Sequence, residues 1–162
     1  MTTWNDVTAA APELAKGVQA RFETTGLGFL ATLRADGSPR ISGIEPSFWE
    51  GDVWLGMMPG SRKAHDLQRD PRFALHAASI DKEVKDGDAR ISGRAVEVVD
   101  DDVKRRMGQA FAADTGYDPN EHGPFHLFRA DVTEAFLLRP GGDHLLLDWW
   151  TPAGGLCHVD RY

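Results

Sequence analysis

The sequence predicts a mainly β, α+β chain: an antiparallel barrel with helices at its periphery. Short runs rich in Leu, Ile, Val, Phe and Trp recur from Phe29 to Tyr162. Tight turns such as Asp36-Gly37, Glu50-Gly51 and Pro140-Gly141-Gly142 separate them, and such turns join antiparallel neighbours. Only three segments carry helical periodicity, too few to supply the crossovers of a parallel sheet.

In chain order, Met1 to Ala10 is weakly patterned and reads as a loose start. Pro12 suits the first turn of a helix reaching Thr24, with Leu14, Val18 and Phe22 on one stripe and Gly26 and Gly28 closing it. Phe29 to Leu33 and Pro39 to Phe48 flank Asp36-Gly37 as a hairpin, and Val53 to Met57 adds a third strand. Gly43 and Gly56 lie inside these runs, where glycine marks a bulge or the close approach of a ligand or backbone. A short helix stopped by Pro71 follows, then a strand from Arg72 to Ser79, a charged loop from Asp81 to Asp88, and the longest strand, Ala89 to Val99. Asp100-Asp101-Asp102 opens a helix with Val103, Met107, Ala110 and Phe111 on one face. Ala112 to Pro124 reads as a polar loop. Phe125 to Leu138, His144 to Trp150 and Gly155 to Tyr162 complete seven or so strands.

Length and composition fit one domain, residues 1–162, with 41% hydrophobic and 27% charged residues. The formal net charge of −7 argues against general binding to nucleic acid or anionic membranes, because nothing would drive counterion release. Cys157 is the only cysteine, so an internal disulfide and zinc sites built on cysteine pairs are excluded; it reads as a small hydrophobe. No secretory h-region and no apolar run of transmembrane length is present, and a cytoplasmic location is expected.

One stretch breaks the chain's own habits. Ser61 is a good N-cap, but Arg62 and Lys63 follow it where a helix prefers acids. Each cation there costs about 0.3–1 kcal/mol unless an anion is present. The helix after Asp100 is charged conventionally, acids first and Lys104, Arg105 and Arg106 later, so the departure at Ser61 is not indifference. A small anion held by free N–H groups, the Ser61 hydroxyl and both cations turns that cost into affinity. A phosphate group is the expected ligand.

Together, "LATLRADGSPRISGI", "DVWLGM", "SRKAHDLQRDPRFALH" and "DARISGRAVEVV" resemble the pyridoxamine-phosphate-oxidase-like, FMN-binding split-barrel superfamily over about two thirds of the chain. The resemblance implies an antiparallel split β-barrel that binds FMN at a homodimer interface. By it, Arg62 and Lys63 hold the flavin phosphate and Ser61 caps the helix beneath. Arg40, Ile41, Ser42 and Gly43 lie along the isoalloxazine ring, and Gly56 and Met57 beside the ribityl chain. Arg90, on the long strand, is expected to reach the cofactor from the partner subunit. The oxidases proper carry Tyr-Thr where this chain has Gly56-Met57 and a lysine near Glu45 or Pro46, and their C-terminal Arg-centred motif is missing, so oxidation of a vitamin B6 phosphate is not expected. The chain is more similar to the small FMN or deazaflavin (coenzyme F-420) reductases, and the Trp149-Trp150-Thr151-Pro152 hairpin fits that group. The Arg-Lys pair suits either cofactor's phosphate; Arg34, Arg69 and Arg72 would serve a polyglutamate tail or simply lie on the surface.

Other motifs are weaker. Gly123 and Pro124 break the helical turn that would align His122 and His126 on a metal. A Ser-His-Asp elbow is absent. The five tryptophans read as core or interface anchors, with Trp149 and Trp150 the candidates to flank a planar ligand. The expectation is an FMN-dependent oxidoreductase acting on a small organic molecule, in which the cofactor carries the chemistry and no catalytic side chain is assigned. The alternative is a non-enzymatic protein holding a flavin, haem or other tetrapyrrole in the same groove.

Overall fold

The computed structural model describes residues 1–79 and 81–162. Its elements run α1 (Trp4–Ala10), α2 (Pro12–Thr25), β1 (Gly28–Leu33), β2 (Pro39–Ile44), β3 (Pro46–Trp49), β4 (Asp52–Met57), α3 (Arg62–Arg69), β5 (Arg72–Ala77), β6 (Asp88–Glu97), α4 (Asp101–Thr115), β7 (His126–Pro140), β8 (Leu145–Thr151) and β9 (Gly155–Arg161), with a 3-10 turn at Pro119–His122. None of the described helices is long and apolar enough to cross a membrane.

All the strand pairings are antiparallel, in the order β2-β1-β5-β6-β7-β4-β3. The two ends of this path, β2 and β3, are separated in sequence only by Glu45. One bent stretch of chain therefore pairs with β1 through its first half and with β4 through its second, and the barrel closes by covalent continuity rather than by a further ladder. The long strand β7 splits the sheet a second time. One edge follows β6 along most of its length; the other pairs with β4 from His126 to Arg129 and with β8 from Ala135 to Pro140. The β8–β9 hairpin extends the sheet beyond the barrel.

Alternation on β4 explains its apolar run from Val53 to Met57. Val53, Leu55 and Met57 point into the barrel core with Leu30, Leu75 and Phe128, whereas Trp54 joins Met107 and Leu127 in a second cluster under α4. Helix α2 contributes Leu14, Val18 and Phe22 to the main core.

The structure corrects several expectations. The first ten residues are not loose. Thr3 and Asp6 form a reciprocal capping box, Trp4 and Val7 are buried, and the Trp4 ring meets Phe48 edge-on at 5.2 Å. Seven residues are too few to display a helical period in sequence, and burial of Trp4 and Val7 supplies the stability that periodicity did not reveal. Helix α4 runs to Thr115 before Gly116 ends it at φ 77°, so the loop after it is shorter than expected. The strand expected from Pro39 to Phe48 is broken at Glu45, ahead of Pro46, which has no N–H to donate. Nor are Gly43 and Gly56 bulges: both sit in continuous register, opposite Phe29 and Leu127, and a Cβ on either would meet nothing within 4 Å. The bulge lies instead at Ser92/Gly93, where a Cβ on Gly93 would fall 2.3 Å from the Asp131 carbonyl oxygen.

These two kinds of glycine respond differently to a methyl group. Gly93→Ala should lower the free energy of urea unfolding by about 2 kcal/mol, because the β7 backbone must move. Gly43→Ala should leave it within about 0.5 kcal/mol of wild type.

Candidate functional site

The strand β4 ends at Met57, and Met58-Pro59-Gly60 turns the chain, with Gly60 at φ 68°. Ser61 then caps α3, its Oγ accepting the Ala64 N–H at 3.3 Å. The first turn of α3 contains no acid. Glu97 ties this corner to the end of β6: Gln68 Nε2 donates to its Oε1 at 2.8 Å, and His126 Nδ1 lies 3.3 Å from the same atom. The Gly60 N–H donates to His126 Nε2 at 3.4 Å, which holds the turn before the helix.

Asp66 is the centre of the arrangement. It lies on the inner face of α3, only 3% exposed. Its Oδ2 accepts from Thr32 Oγ1 at 2.9 Å and from Arg40 Nε at 2.6 Å, and its Oδ1 from Arg69 at 3.0 Å. Arg69 also donates to the Leu33 carbonyl. Burial alone would raise the Asp66 carboxyl pKa, but the hydrogen bonds from Arg40, Arg69 and Thr32 outweigh it and hold the group below its ordinary value. One carboxylate thus joins α3 to β1, β2 and its own last turn.

The neighbouring cations are disposed differently. Lys63 Nζ donates to the Gly43 carbonyl at 2.6 Å; partial burial lowers its pKa, opposed by the Glu45 carboxylate. Arg62 is exposed and has no ion-pair partner among the described residues. Arg34, Arg40, Arg62 and Arg69, with His65, line one shallow depression, the only acids there being Asp66 and Asp36.

Of the residues expected from the sequence, Ser61, Arg62 and Lys63 are brought together with Arg40 through Asp66 and with Gly43 through the Lys63 hydrogen bond. On β2, Arg40 and Ser42 are half-buried, whereas Ile41 is 73% exposed. Among the described strands β2 pairs only with β1, so its other edge has no strand partner. Gly56 and Met57 open onto a separate pocket beneath α4 that Glu45 also lines. Arg90 stands apart within the chain: it pairs with Glu134 at 3.0 Å and lies over the Phe136 ring at 4.5 Å. Its neighbours form a cross-strand row on the outer face, Phe29, His76, Arg90, Phe136 and Trp149.

Sequence reasoning missed Asp66, Thr32 and the Glu97–His126 brace. The Asp66–Arg69 spacing on one helix face was a readable signal. The Thr32 and Arg40 bonds cross 34 and 26 residues and leave no local trace.

Comparison with known proteins gives a consistent picture of the fold. The pyridoxamine 5'-phosphate oxidase family model matches residues 14–139. No curated protein matches significantly. Among solved structures, PhzG from Burkholderia lata, in complex with tetrahydrophenazine-1-carboxylic acid, superposes with a TM-score of 0.68 at 14% identity, covering 97% of this chain and 94% of that one. Campylobacter jejuni ChuZ gives 0.68 at 16% identity, over 91% of this chain and 63% of that chain. A haem-binding protein from Mycobacterium smegmatis gives 0.59 at 23% identity, over 83% and 57%.

Removing the Asp66 carboxylate would leave Arg40 and Arg69 without their partner. Asp66→Ala should cost about 3 kcal/mol in chemical denaturation at pH 7. Because the folded pKa is depressed, the stabilisation is complete above the unfolded value of about 3.9 and disappears as pH falls through the folded one. Urea titrations from pH 6 to pH 2.5 should therefore show a shallower acid limb in Asp66→Asn than in wild type.

Proposed function

Because the chain belongs to the pyridoxamine 5'-phosphate oxidase family, we propose that it is a flavin-dependent oxidoreductase, binding FMN at a homodimer interface and acting on a small organic molecule. The observation that carries this reading is Arg62, an exposed cation without an ion-pair partner among the described residues, at an acid-free helix start. Asp66 is engaged with two arginines and the first turn of α3 carries no acid, so the helix start keeps its positive field for a ligand. The Ser61 hydroxyl, the first N–H groups of α3, Arg62 and Lys63 would receive the phosphate. The stretch Arg40–Gly43, on a strand whose second edge has no partner among the described strands, would lie along the ring, with Gly56 and Met57 beside the linking chain. When bound, the flavin supplies hydride or electron transfer. The protein's own residues bind, orient and shield it.

The homodimer reading rests on the outer sheet face. Phe29 is 50% exposed and Ile41 73%, beside half-buried Phe136 and Trp149, and a second copy would cover them. Arg90 sits on that face, where it would approach the partner's cofactor. A cytoplasmic setting accords with the single cysteine. Vitamin B6 phosphate is a poor substrate candidate, because Gly56-Met57 stands where the oxidases proper carry Tyr-Thr and their lysine near Glu45 or Pro46 is missing.

A second reading has its own support. Arg34 and Arg69 share the depression with Arg62, and such a cluster suits the longer anionic tail of a deazaflavin (coenzyme F-420). Parallel titration with FMN and the deazaflavin separates the two. A binding protein without turnover, as the haem-binding neighbour suggests, would hold its ligand yet oxidise no reduced nicotinamide or deazaflavin.

Replacing both cations, Arg62→Ala with Lys63→Ala, should weaken FMN binding by about 100-fold, the value of two charge-assisted hydrogen bonds, in a protein whose circular dichroism is unchanged. Undiminished FMN affinity in that variant would remove the phosphate assignment.

A further inference from the structure

The pocket beneath α4 has a composition that the rest of the molecule does not share. Its volume is about 140 Å³, close to the roughly 150 Å³ of an engineered apolar cavity that accommodates benzene. Three of the chain's four methionines line it: Met57, Met58 and Met107. Phe111, Phe125 and Tyr117 supply aromatic faces. Thioethers and rings in this proportion make a polarisable wall that adapts to planar apolar ligands.

The pocket is a place rather than a packing defect. Met107 is buried and forms its floor, Met57 borders it at the end of β4 while its side chain packs in the barrel core, and Met58, at 75% exposure, stands at the rim with no core contact to hold it there. Period-two alternation puts Gly56 on the same side of β4 as Trp54, facing α4, and a Cβ there would meet nothing within 4 Å. A larger residue would fit the fold, yet the pocket would be filled. Charge is also selective. Among the described residues that line it, Glu45 is the one carboxylate and His122 the one basic group; Lys104 lies outside, its ammonium 4.9 Å from the Phe125 ring centre.

We propose that this pocket binds a single aromatic ring of a neutral or cationic molecule, and that Glu45 rejects carboxylated and phosphorylated analogues. The inference builds on the flavin reading, since Gly56 and Met57 would then lie between cofactor and ring, and it makes the ring's owner the substrate class. Glu45 connects the two regions: it stands two residues after Gly43, whose carbonyl receives Lys63. A ligand in the pocket therefore lies beside the expected cofactor groove and opposite in character to the cationic depression around Arg62.

The test uses indole and indole-3-acetate as probes, titrated by calorimetry into the protein at pH 8. Indole should bind, and indole-3-acetate about tenfold or more weaker. Glu45→Gln should close that gap without changing indole affinity. Gly56→Leu, with its fold checked by thermal melting, should abolish indole binding. Failure of indole to bind wild type, equal affinity for both probes, or indole binding undiminished in a folded Gly56→Leu would each overturn the proposal. The double variant of Arg62 and Lys63 keeps the two readings distinct. It should retain indole binding while binding FMN about 100-fold more weakly; indole binding of the expected selectivity in a protein that never binds FMN would sustain the pocket and overturn the flavin.

Discussion

The organisation of the site depends on a buried carboxylate that three donors hold ionised. Asp66 would be costly inside the protein without partners, and Thr32, Arg40 and Arg69 each contribute one hydrogen bond to offset that cost. These partners come from β1, from β2 and from the end of α3, so satisfying one charge fixes the helix against two strands. The same act spends Arg40 and Arg69 internally. Arg62, one turn before Asp66, is left facing solvent.

The barrel supplies the second half of the arrangement. Because β2 and β3 are one bent stretch interrupted at Glu45, the barrel closes without a ladder between them, and β2 retains an edge without a partner among the described strands. Lys63 reaches that strand at Gly43, and Glu45 stands just beyond it. Three environments follow in order along the same surface: a cationic depression, a bare strand edge and an apolar pocket. An extended ligand with an anionic end and a planar middle matches the first two. The third has the chemistry of an uncharged ring.

Much of this was readable in the sequence, for reasons that can be named. The hairpin around Asp36-Gly37 and the strands on either side of Glu50-Gly51 announce themselves through turn chemistry and alternation, which are local. Ser61-Arg62-Lys63 stood out because a helix dipole makes a local demand that those residues contradict. What stayed hidden is long-range or cooperative. Helix α1 is too short to show a period and is stabilised by Trp4 against Phe48. The break at Glu45 has meaning only when β1 and β4 are both in view. The bulge at Gly93, the Asp66 triad and the convergence of Met57, Met58 and Met107 each require the fold before they exist. Gly43 and Gly56 are not bulges: both sit in continuous register with open space beside them.

The central claim is that this surface is built to receive a phosphate at the start of α3. The most direct measurement is a comparison of FMN with riboflavin, which share a ring and differ by that phosphate. Fluorescence titration should give FMN an affinity about 100-fold above riboflavin, with the difference shrinking as salt is raised. Equal affinity for the two would contradict the phosphate site and with it the role assigned to Arg62.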